Sequence, residues 1–133
     1  MTGAGASSRL ALVDTSAWIA CARFGDHVLE ALLESRRALG HGVVTGELAL
    51  GCGPTAARLA MTAAALPQAP ELDHRMVRGV VEGCSLSCNG LSWSDASLIA
   101  SALAASEAGN AVAIYTLDRV LAREAIRLGV GWE

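Results

Sequence analysis

The 133-residue sequence predicts an α/β fold with a small, mainly parallel central sheet. Two apolar runs, Leu10 to Val13 and Ala111 to Tyr115, lack polar alternation and have the pattern of strands that are buried on both faces. The segments between them have helical spacing, and an aspartate follows each run. Strands that alternate with helices favour a parallel sheet covered by helices.

The first predicted helix follows the first strand directly. Thr15 or Ser16 is expected to cap it, and it carries Trp18 and Ile19. Asp26 is expected to begin a second helix, in which valine and leucine side chains recur at helical spacing. A glycine–histidine–glycine segment ends that second helix.

The next predicted strand is brief and consists of Val43 and Val44. Thr45 with Gly46 is then expected to open a helix that carries Glu47. This placement puts the glutamate in the first turn of its helix, where the helix dipole favours a negative charge.

Three further helices are expected before the second long strand. An alanine-rich helix starts at Pro54 and runs to about residue 65, and an amphipathic helix covers about residues 71–83. Ser92 or Ser94 is expected to cap the third, which runs over 95–107 and has almost no polar face. A helix that is apolar nearly all round is predicted to be buried.

The C-terminal part of the chain is expected to contain a helix over about 119–128 and a short last strand over 130–132. No repeat or interdomain linker is visible in the sequence. We therefore predict one domain over residues 10–133 and a flexible N-terminal tail over residues 1–9.

Composition narrows the class of protein. No apolar run is long enough to span a bilayer, and the first residues lack an apolar signal core, so we predict a cytoplasmic protein without a membrane partner. The net charge of −3 gives no overall basic signature of nucleic-acid binding, although all ten basic residues are arginine.

The 53% hydrophobic content fits either an apolar patch covered by a partner or simply an alanine-rich chain. The four cysteines lack a second metal-binding pair and are expected to be reduced, partly buried thiols.

Four acidic residues are expected at the ends of secondary-structure elements. Asp14 and Asp118 follow the two long strands, and Glu47 and Asp95 lie in helix first turns. Carboxylates at one edge of a parallel sheet would repel one another, and a bound divalent cation removes that conflict. Oxygen-only ligands suit Mg²⁺ or Mn²⁺. Each acid taken alone is also compatible with a structural role as a cap or a solvated helix charge.

Other hydrolytic and phosphotransfer classes fit less well. The haloacid-dehalogenase type needs a second acid two residues after the first, where this chain has Ser16. That type and the response-regulator receivers typically need a lysine, and the chain contains none. A histidine-based hydrolase is also disfavoured, because His27, His41 and His74 lie in polar stretches expected to be exposed. No glycine-rich phosphate loop or nucleophile elbow is present.

Four motifs in order carry a resemblance to a known family. They are LVDTSAWI at 12–19, TGELALG at 45–51, LSWSDASLIA at 91–100 and YTLDRVL at 115–121. With these motifs the chain resembles the PIN-domain ribonucleases, and more narrowly the VapC toxins of bacterial toxin–antitoxin pairs. The resemblance implies a PIN-like three-layer α/β/α fold.

The resemblance also implies the chemistry. Asp14, Glu47, Asp95 and Asp118 would hold one or two Mg²⁺ or Mn²⁺ ions, and the reaction would be hydrolysis of RNA phosphodiester bonds. Ser16 and Thr116 match small hydroxyl positions of the family and would orient a carboxylate or bond water, although capping and turn formation explain them equally well. Arg119, beside Asp118, is the first candidate for a phosphate contact.

The implied partners are RNA, a second copy of the chain in a homodimer, and a small VapB-like antitoxin whose tail covers the acidic pocket. The low content of charged residues and the apolar early helices, including Trp18, would agree with such a covered groove, although Trp18 fits a core position equally well. Two alternatives stay open: a catalytically silent PIN domain that binds RNA or protein, and a metal-dependent phosphatase.

Overall fold

The computed structural model describes residues 9–133. Its sheet has three parallel strands, which are β1 (Leu10–Val13), β2 (Ala38–Leu39) and β3 (Val112–Tyr115). The strand order is β2-β1-β3, so β1 is central and the chain crosses from one side of β1 to the other between β2 and β3. Order reversals of this kind open a crevice at the carboxyl edge of a parallel sheet.

Seven helices are present within residues 9–133. They are α1 (Thr15–Phe24), α2 (His27–Glu34), α3 (Gly42–Ala49), α4 (Gly53–Ala65), α5 (His74–Gly83), α6 (Trp93–Glu107) and α7 (Arg119–Arg127). Together with the parallel sheet they confirm the predicted α/β class.

The sheet is covered on both faces. Successive residues of a strand point to opposite faces, and in β3 the consecutive residues Val112, Ala113 and Ile114 are all buried. The last three residues of β1 are buried in the same way. Helices therefore cover both faces and form the predicted three-layer arrangement. The apolar helix α6 lies in the core, as predicted, with eight buried residues.

The second strand is not where the sequence predicted it. Val43 and Val44 lie in α3, and the strand is Ala38–Leu39. The imidazole Nδ1 of His41 accepts a hydrogen bond from the backbone N–H of Val43 at 3.0 Å, which caps the helix and starts it at Gly42. The prediction that Thr45 and Gly46 open this helix was therefore wrong as well.

The cap of α1 also differs from the prediction. Its N-cap residue is Asp14, whose side chain makes no capping hydrogen bond. Thr15 and Ser16 do not cap the helix, because their hydroxyls bond to carboxylates instead. By contrast, Asp26 and Ser92 cap α2 and α6 as predicted.

At the C-terminal end, the predicted strand over 130–132 is reduced to one parallel bridge between Ile114 and Gly131. Two backbone hydrogen bonds form this bridge within the described chain: Ile114 N donates to Val130 O, and Trp132 N donates to Ile114 O. The segment still lies beside β3 and closes that edge of the sheet.

All four cysteines in the described part of the chain are free thiols, and two of them, Cys21 and Cys84, are partly buried. None of the helices in residues 9–133 is both long and apolar enough to cross a membrane. The predicted tail lies almost entirely outside the described residues, and the single-domain division stays a prediction.

Candidate carboxylate site at the sheet edge

Asp14 is the buried centre of the candidate site. It follows β1 directly at the carboxyl edge of the sheet, and only 7% of its surface is exposed. Its backbone N–H bonds to the carbonyl of Tyr115 in β3, which places it at the junction of the two strands. Its Oδ2 accepts hydrogen bonds from Thr116 Oγ1 at 2.7 Å and from Ser16 Oγ at 3.0 Å.

Backbone donors orient these two hydroxyls. The N–H of Asp118 donates to Thr116 Oγ1, and the N–H of Leu117 donates to Ser16 Oγ, each at 3.0 Å. Each hydroxyl has one hydrogen and can donate it to Asp14 while its oxygen accepts from the backbone. The two hydroxyl oxygens lie 3.1 Å apart, and both contact the same carboxylate oxygen.

Asp118 begins the last helix at the same edge. Its Oδ1 accepts from the backbone N–H groups of Val120 and Leu121 at 2.8 and 3.2 Å, so it is the N-cap of α7. The sequence left both a capping role and a metal-ligand role open for Asp118, and the structure has it as a cap. Its side chain is also exposed, and it lies two residues after Thr116, which bonds to Asp14. Arg119 is exposed and makes no hydrogen bond or ion pair within the described residues.

Asp95 lies in the first turn of α6 and forms a capping box with Ser92. Its Oδ2 accepts from the Ser92 N–H at 3.0 Å, and the Ser92 hydroxyl accepts from the Asp95 N–H at 3.1 Å. Burial raises the pKa of Asp95, and the charges of Asp14 and Asp118 raise it further. The helix end alone would lower this pKa, but desolvation and the like charges outweigh it.

Glu47 lies in the second turn of α3, and not in the first turn, because the helix starts at Gly42. Its side chain is exposed, and its Oε1 accepts from Thr15 Oγ1 at 2.5 Å. This bond ties α3 to the start of α1, one residue after Asp14. The helix-dipole argument for Glu47 therefore fails, but the glutamate still reaches the residue next to the buried aspartate.

The four carboxylates share one property. Each has one oxygen held by a protein donor, and its other oxygen accepts no hydrogen bond from residues 9–133. The free oxygens are hard donors that form no ion pair with an arginine of residues 9–133, and this donor set fits Mg²⁺ or Mn²⁺. The four side chains do not form a complete metal-binding geometry. In the described chain, no group of three or more histidine, cysteine or acidic side chains is arranged to hold a metal ion.

The sequence interpretation missed two other buried polar residues. His41 was expected to be exposed and is only 3% exposed, since its ring caps α3. Glu124 was not singled out and is only 5% exposed. Its Oε1 accepts from Arg127 at 2.8 and 3.0 Å and from Asn89 at 2.9 Å. The three-residue spacing of Glu124 and Arg127 on one helix was the available signal.

Comparison with known proteins supports the fold and no more. No protein-family model matches this chain, and no curated protein matches it. Among solved structures it is similar to the crystal structure of PAE2754 from Pyrobaculum aerophilum, with 21% sequence identity and a TM-score of 0.56. The match covers 91% of this chain and 88% of that chain. The two proteins share a fold. At this identity the likeness carries no activity from one chain to the other.

Proposed function

We propose that this chain is a Mg²⁺- or Mn²⁺-dependent endoribonuclease of the PIN type and the toxin of a toxin–antitoxin pair. It would hydrolyse RNA phosphodiester bonds at the carboxylates Asp14, Glu47, Asp95 and Asp118. The observation that carries the proposal is the position of Asp14 and Asp118, which follow β1 and β3 at the edge where the strand order reverses. The charges of both also act on Asp95, whose pKa is raised mainly by burial.

Structural acids are normally neutralised by a cationic neighbour or kept apart in water. In this site no arginine pairs with any of the four carboxylates within the described residues. A carboxyl group whose charge the fold opposes, as at Asp95, is typical of a functional site. When bound, a divalent cation supplies positive charge that offsets the acids and polarises both water and the scissile phosphate.

The protein's own residues would set the geometry. Asp14 would hold the cation from the buried side, with Ser16 and Thr116 keeping one of its oxygens turned toward the protein so that the other faces the site. Asp118 and Asp95 are held by backbone N–H groups in the same manner. Such fixed orientation of ligands is what outer hydrogen bonds contribute at metal sites.

The net charge of −3 means that the chain as a whole does not attract RNA. Individual arginines near the site would therefore bind the RNA phosphates. Arg119 stands at the start of α7 beside Asp118, and Arg75 lies on the exposed face of α5. Arg78 and Arg123 are partly engaged in weak ion pairs, at 3.9 Å with Glu82 and at 3.8 Å with the neighbouring Glu124. We therefore rank Arg119 first as a phosphate contact.

The proposal includes a cytoplasmic location, a homodimer and a VapB-like antitoxin that covers the acidic pocket. Trp18 is no longer an argument for these partners, because it is 2% exposed and belongs to the core. Phe24 at the end of α1 is 81% exposed, and Leu50 after α3 is 86% exposed. These side chains offer apolar surface that a partner would cover.

The second candidate is a catalytically silent domain that binds RNA or protein. The absence of a closed three-ligand group in residues 9–133 favours it. The four free carboxylate oxygens favour the enzyme. A metal phosphatase, the third option, predicts hydrolysis of a small phosphomonoester, which a nuclease leaves intact.

The deciding experiment follows end-labelled total RNA with the protein freed from any partner, in Mg²⁺, in Mn²⁺ and in excess EDTA. We expect discrete cuts that need the cation, with 5′-phosphate and 3′-hydroxyl ends. Cuts that persist in EDTA, or that leave 2′,3′-cyclic phosphates, would contradict the proposal, because the RNA 2′-hydroxyl would then be the nucleophile.

Two variants serve as controls. Asp14→Asn keeps the shape of the side chain and removes its charge, and it should abolish the cuts. Glu34→Gln removes an equally negative but exposed side chain at the end of α2 and should leave them unchanged. RNA that stays intact but binds the folded protein would favour the silent domain.

A further inference from the structure

A cavity of about 440 Å³ lies between the N-terminal ends of α3, α5 and α6. His41, Glu71, His74 and Trp93 line it. Trp93 is the first residue of α6, the helix that also carries Asp95 in its first turn. Its volume lies within the usual range of small-molecule sites.

One wall of the cavity is aromatic. The rings of His74 and Trp93 lie 5.9 Å apart with an interplanar angle of 34°. Trp93 is 45% exposed, which is a large apolar surface to leave in water at the edge of a site. An exposed indole face of this kind stacks planar heterocycles, and nucleobases above all.

Another residue that lines the cavity carries a buried donor without a partner in the described chain. The Nδ1 of His41 accepts from the Val43 N–H, so the neutral ring carries its proton on Nε2. Burial lowers the pKa of His41 and keeps the ring neutral. The Nε2 atom is buried and bonds to nothing in residues 9–133. Three other buried polar atoms in residues 9–133 also lack a partner, but this donor belongs to a residue that lines the cavity, so it is the one open to a molecule bound there.

An acceptor lies beside that donor. The carboxylate of Glu71 packs against Gly42, where an added Cβ would be 2.6 Å from Oε1 and 2.8 Å from Oε2. Glu71 forms no hydrogen bond or ion pair with the described residues, and its charge acts on the His41 ring. The cavity therefore combines an N–H donor, two carboxylate acceptors and an aromatic face.

We propose that this cavity binds a guanine base of single-stranded RNA, stacked on Trp93 with its Watson–Crick edge toward Glu71 and His41. Guanine presents N1–H and N2–H₂ side by side, which match the two carboxylate oxygens, and the adjacent O6 accepts from the imidazole N–H. Neutral adenine and cytosine have no hydrogen on N1 or N3, and uracil has one N–H between two carbonyl oxygens.

The proposal deepens the proposed function, since it gives the nuclease a base preference, but its test does not depend on cleavage. The four 5′-mononucleotides are titrated calorimetrically into the full chain in EDTA, which removes catalysis. We expect GMP to bind at least about tenfold more tightly than AMP, CMP or UMP, the discrimination of a bidentate contact. Equal affinities for all four, or no binding of any of them, would overturn the proposal.

Variants locate the site. Glu71→Gln should remove the preference for GMP, because an amide replaces one of the two acceptor oxygens by an NH₂ donor and can no longer accept from N1–H and N2–H₂ side by side. Trp93→Leu should weaken the binding of all four nucleotides, whereas Trp93→Phe keeps an aromatic face and should retain most of the binding. Glu34→Gln is the charge-matched control and should bind GMP like the wild type. A Glu71→Gln protein that keeps full GMP preference would refute the assignment.

The results also separate this proposal from the nuclease. GMP binding that is lost in Glu71→Gln, in a protein that never cuts RNA, would support the base site and refute the enzyme. Metal-dependent cleavage without GMP binding, and with the same cut sites in wild type and Glu71→Gln, would support the enzyme and refute the base site.

Discussion

Glu124 and the carboxylate site are two ways of placing acidic groups in one small domain. Glu124 is 5% exposed, and three N–H groups of Arg127 and Asn89 bond to one of its oxygens. Asp14 is about as deeply buried, at 7%, yet within residues 9–133 only two hydroxyls bond to its carboxylate, and the nearby acids are of like charge.

The pKa values respond in opposite directions. The Arg127 hydrogen bonds lower the pKa of Glu124, which means that the fold stabilises this charge. Burial and the neighbouring acids raise the pKa of Asp95, which means that the fold opposes that charge. An acid that is paired with an arginine stabilises the contacts between its elements. A partly buried acid without a counter-ion lowers the stability of the fold, and a bound cation would explain why such acids are present.

The largest difference is expected when one acid of each group is neutralised in turn and the two variants are compared. Asp118→Asn should lower RNA cleavage by at least about 100-fold, since outer hydrogen bonds of metal ligands alone are worth 10–100-fold. Its stability should change little, because asparagine caps a helix as well as aspartate does. Cleavage is measured as the initial rate on the mapped RNA, and unfolding by circular dichroism.

Glu124→Gln should behave in the reverse way. The neutral amide leaves Arg127 without its counter-ion and Asn89 without a charged acceptor, so the Tm should fall by several degrees. The folded fraction should cut RNA at the wild-type rate. Comparable loss of activity in both variants would mean that the two groups of acids are not functionally distinct.

A pH series sharpens the comparison. The folded pKa of Asp95 is raised, so its unfavourable contribution is absent below the ordinary aspartate pKa of about 3.9 and appears as pH rises through the folded value. Without a cation, Asp95→Asn should therefore be more stable than wild type at pH 7, and the difference should shrink on acidification.

The folded pKa of Glu124 is lowered, and the sign is reversed. Its stabilising contribution is present above the ordinary glutamate pKa of about 4.3 and is lost as pH falls through the folded value. The deficit of Glu124→Gln should thus be full at neutral pH and vanish in acid. Thermal unfolding of the three proteins between acid and neutral pH checks both slopes.

The smallest effect concerns the hydroxyls that hold Asp14. Thr116→Val keeps the shape of the side chain and removes the shorter of the two bonds, and we expect a loss of roughly tenfold in the cleavage rate. Thr62→Val is a matched control, because the one bond of that hydroxyl within residues 9–133 is to the carbonyl of Arg58 in the same helix, α4. Equal rates for Thr116→Val and wild type would remove Thr116 from the site.

Much of the scaffold could be predicted from the sequence, because its signals are local. The unbroken apolar runs of β1 and β3 indicate strands buried on both faces, and Asp26 and Ser92 are strong caps. The position of Asp14 at the sheet edge follows from the parallel order of the strands.

The missed features depend on contacts between distant residues. Strand β2 has two ordinary residues, Ala38 and Leu39, and is defined only by its pairing with β1. The valines at 43 and 44 have a preference for strands, but the His41 cap starts a helix there. The link between Thr15 and Glu47 spans 32 positions, and the raised pKa of Asp95 arises from tertiary burial. No local pattern encodes either one.

The most direct test of the account is Mn²⁺ binding by calorimetry to wild type, Asp14→Asn and Glu124→Gln, each confirmed as folded. The account predicts saturable binding to wild type and to Glu124→Gln, and its loss in Asp14→Asn. Equal binding to all three folded proteins would contradict it, because the cation would then bind elsewhere than at the carboxylates of the sheet edge.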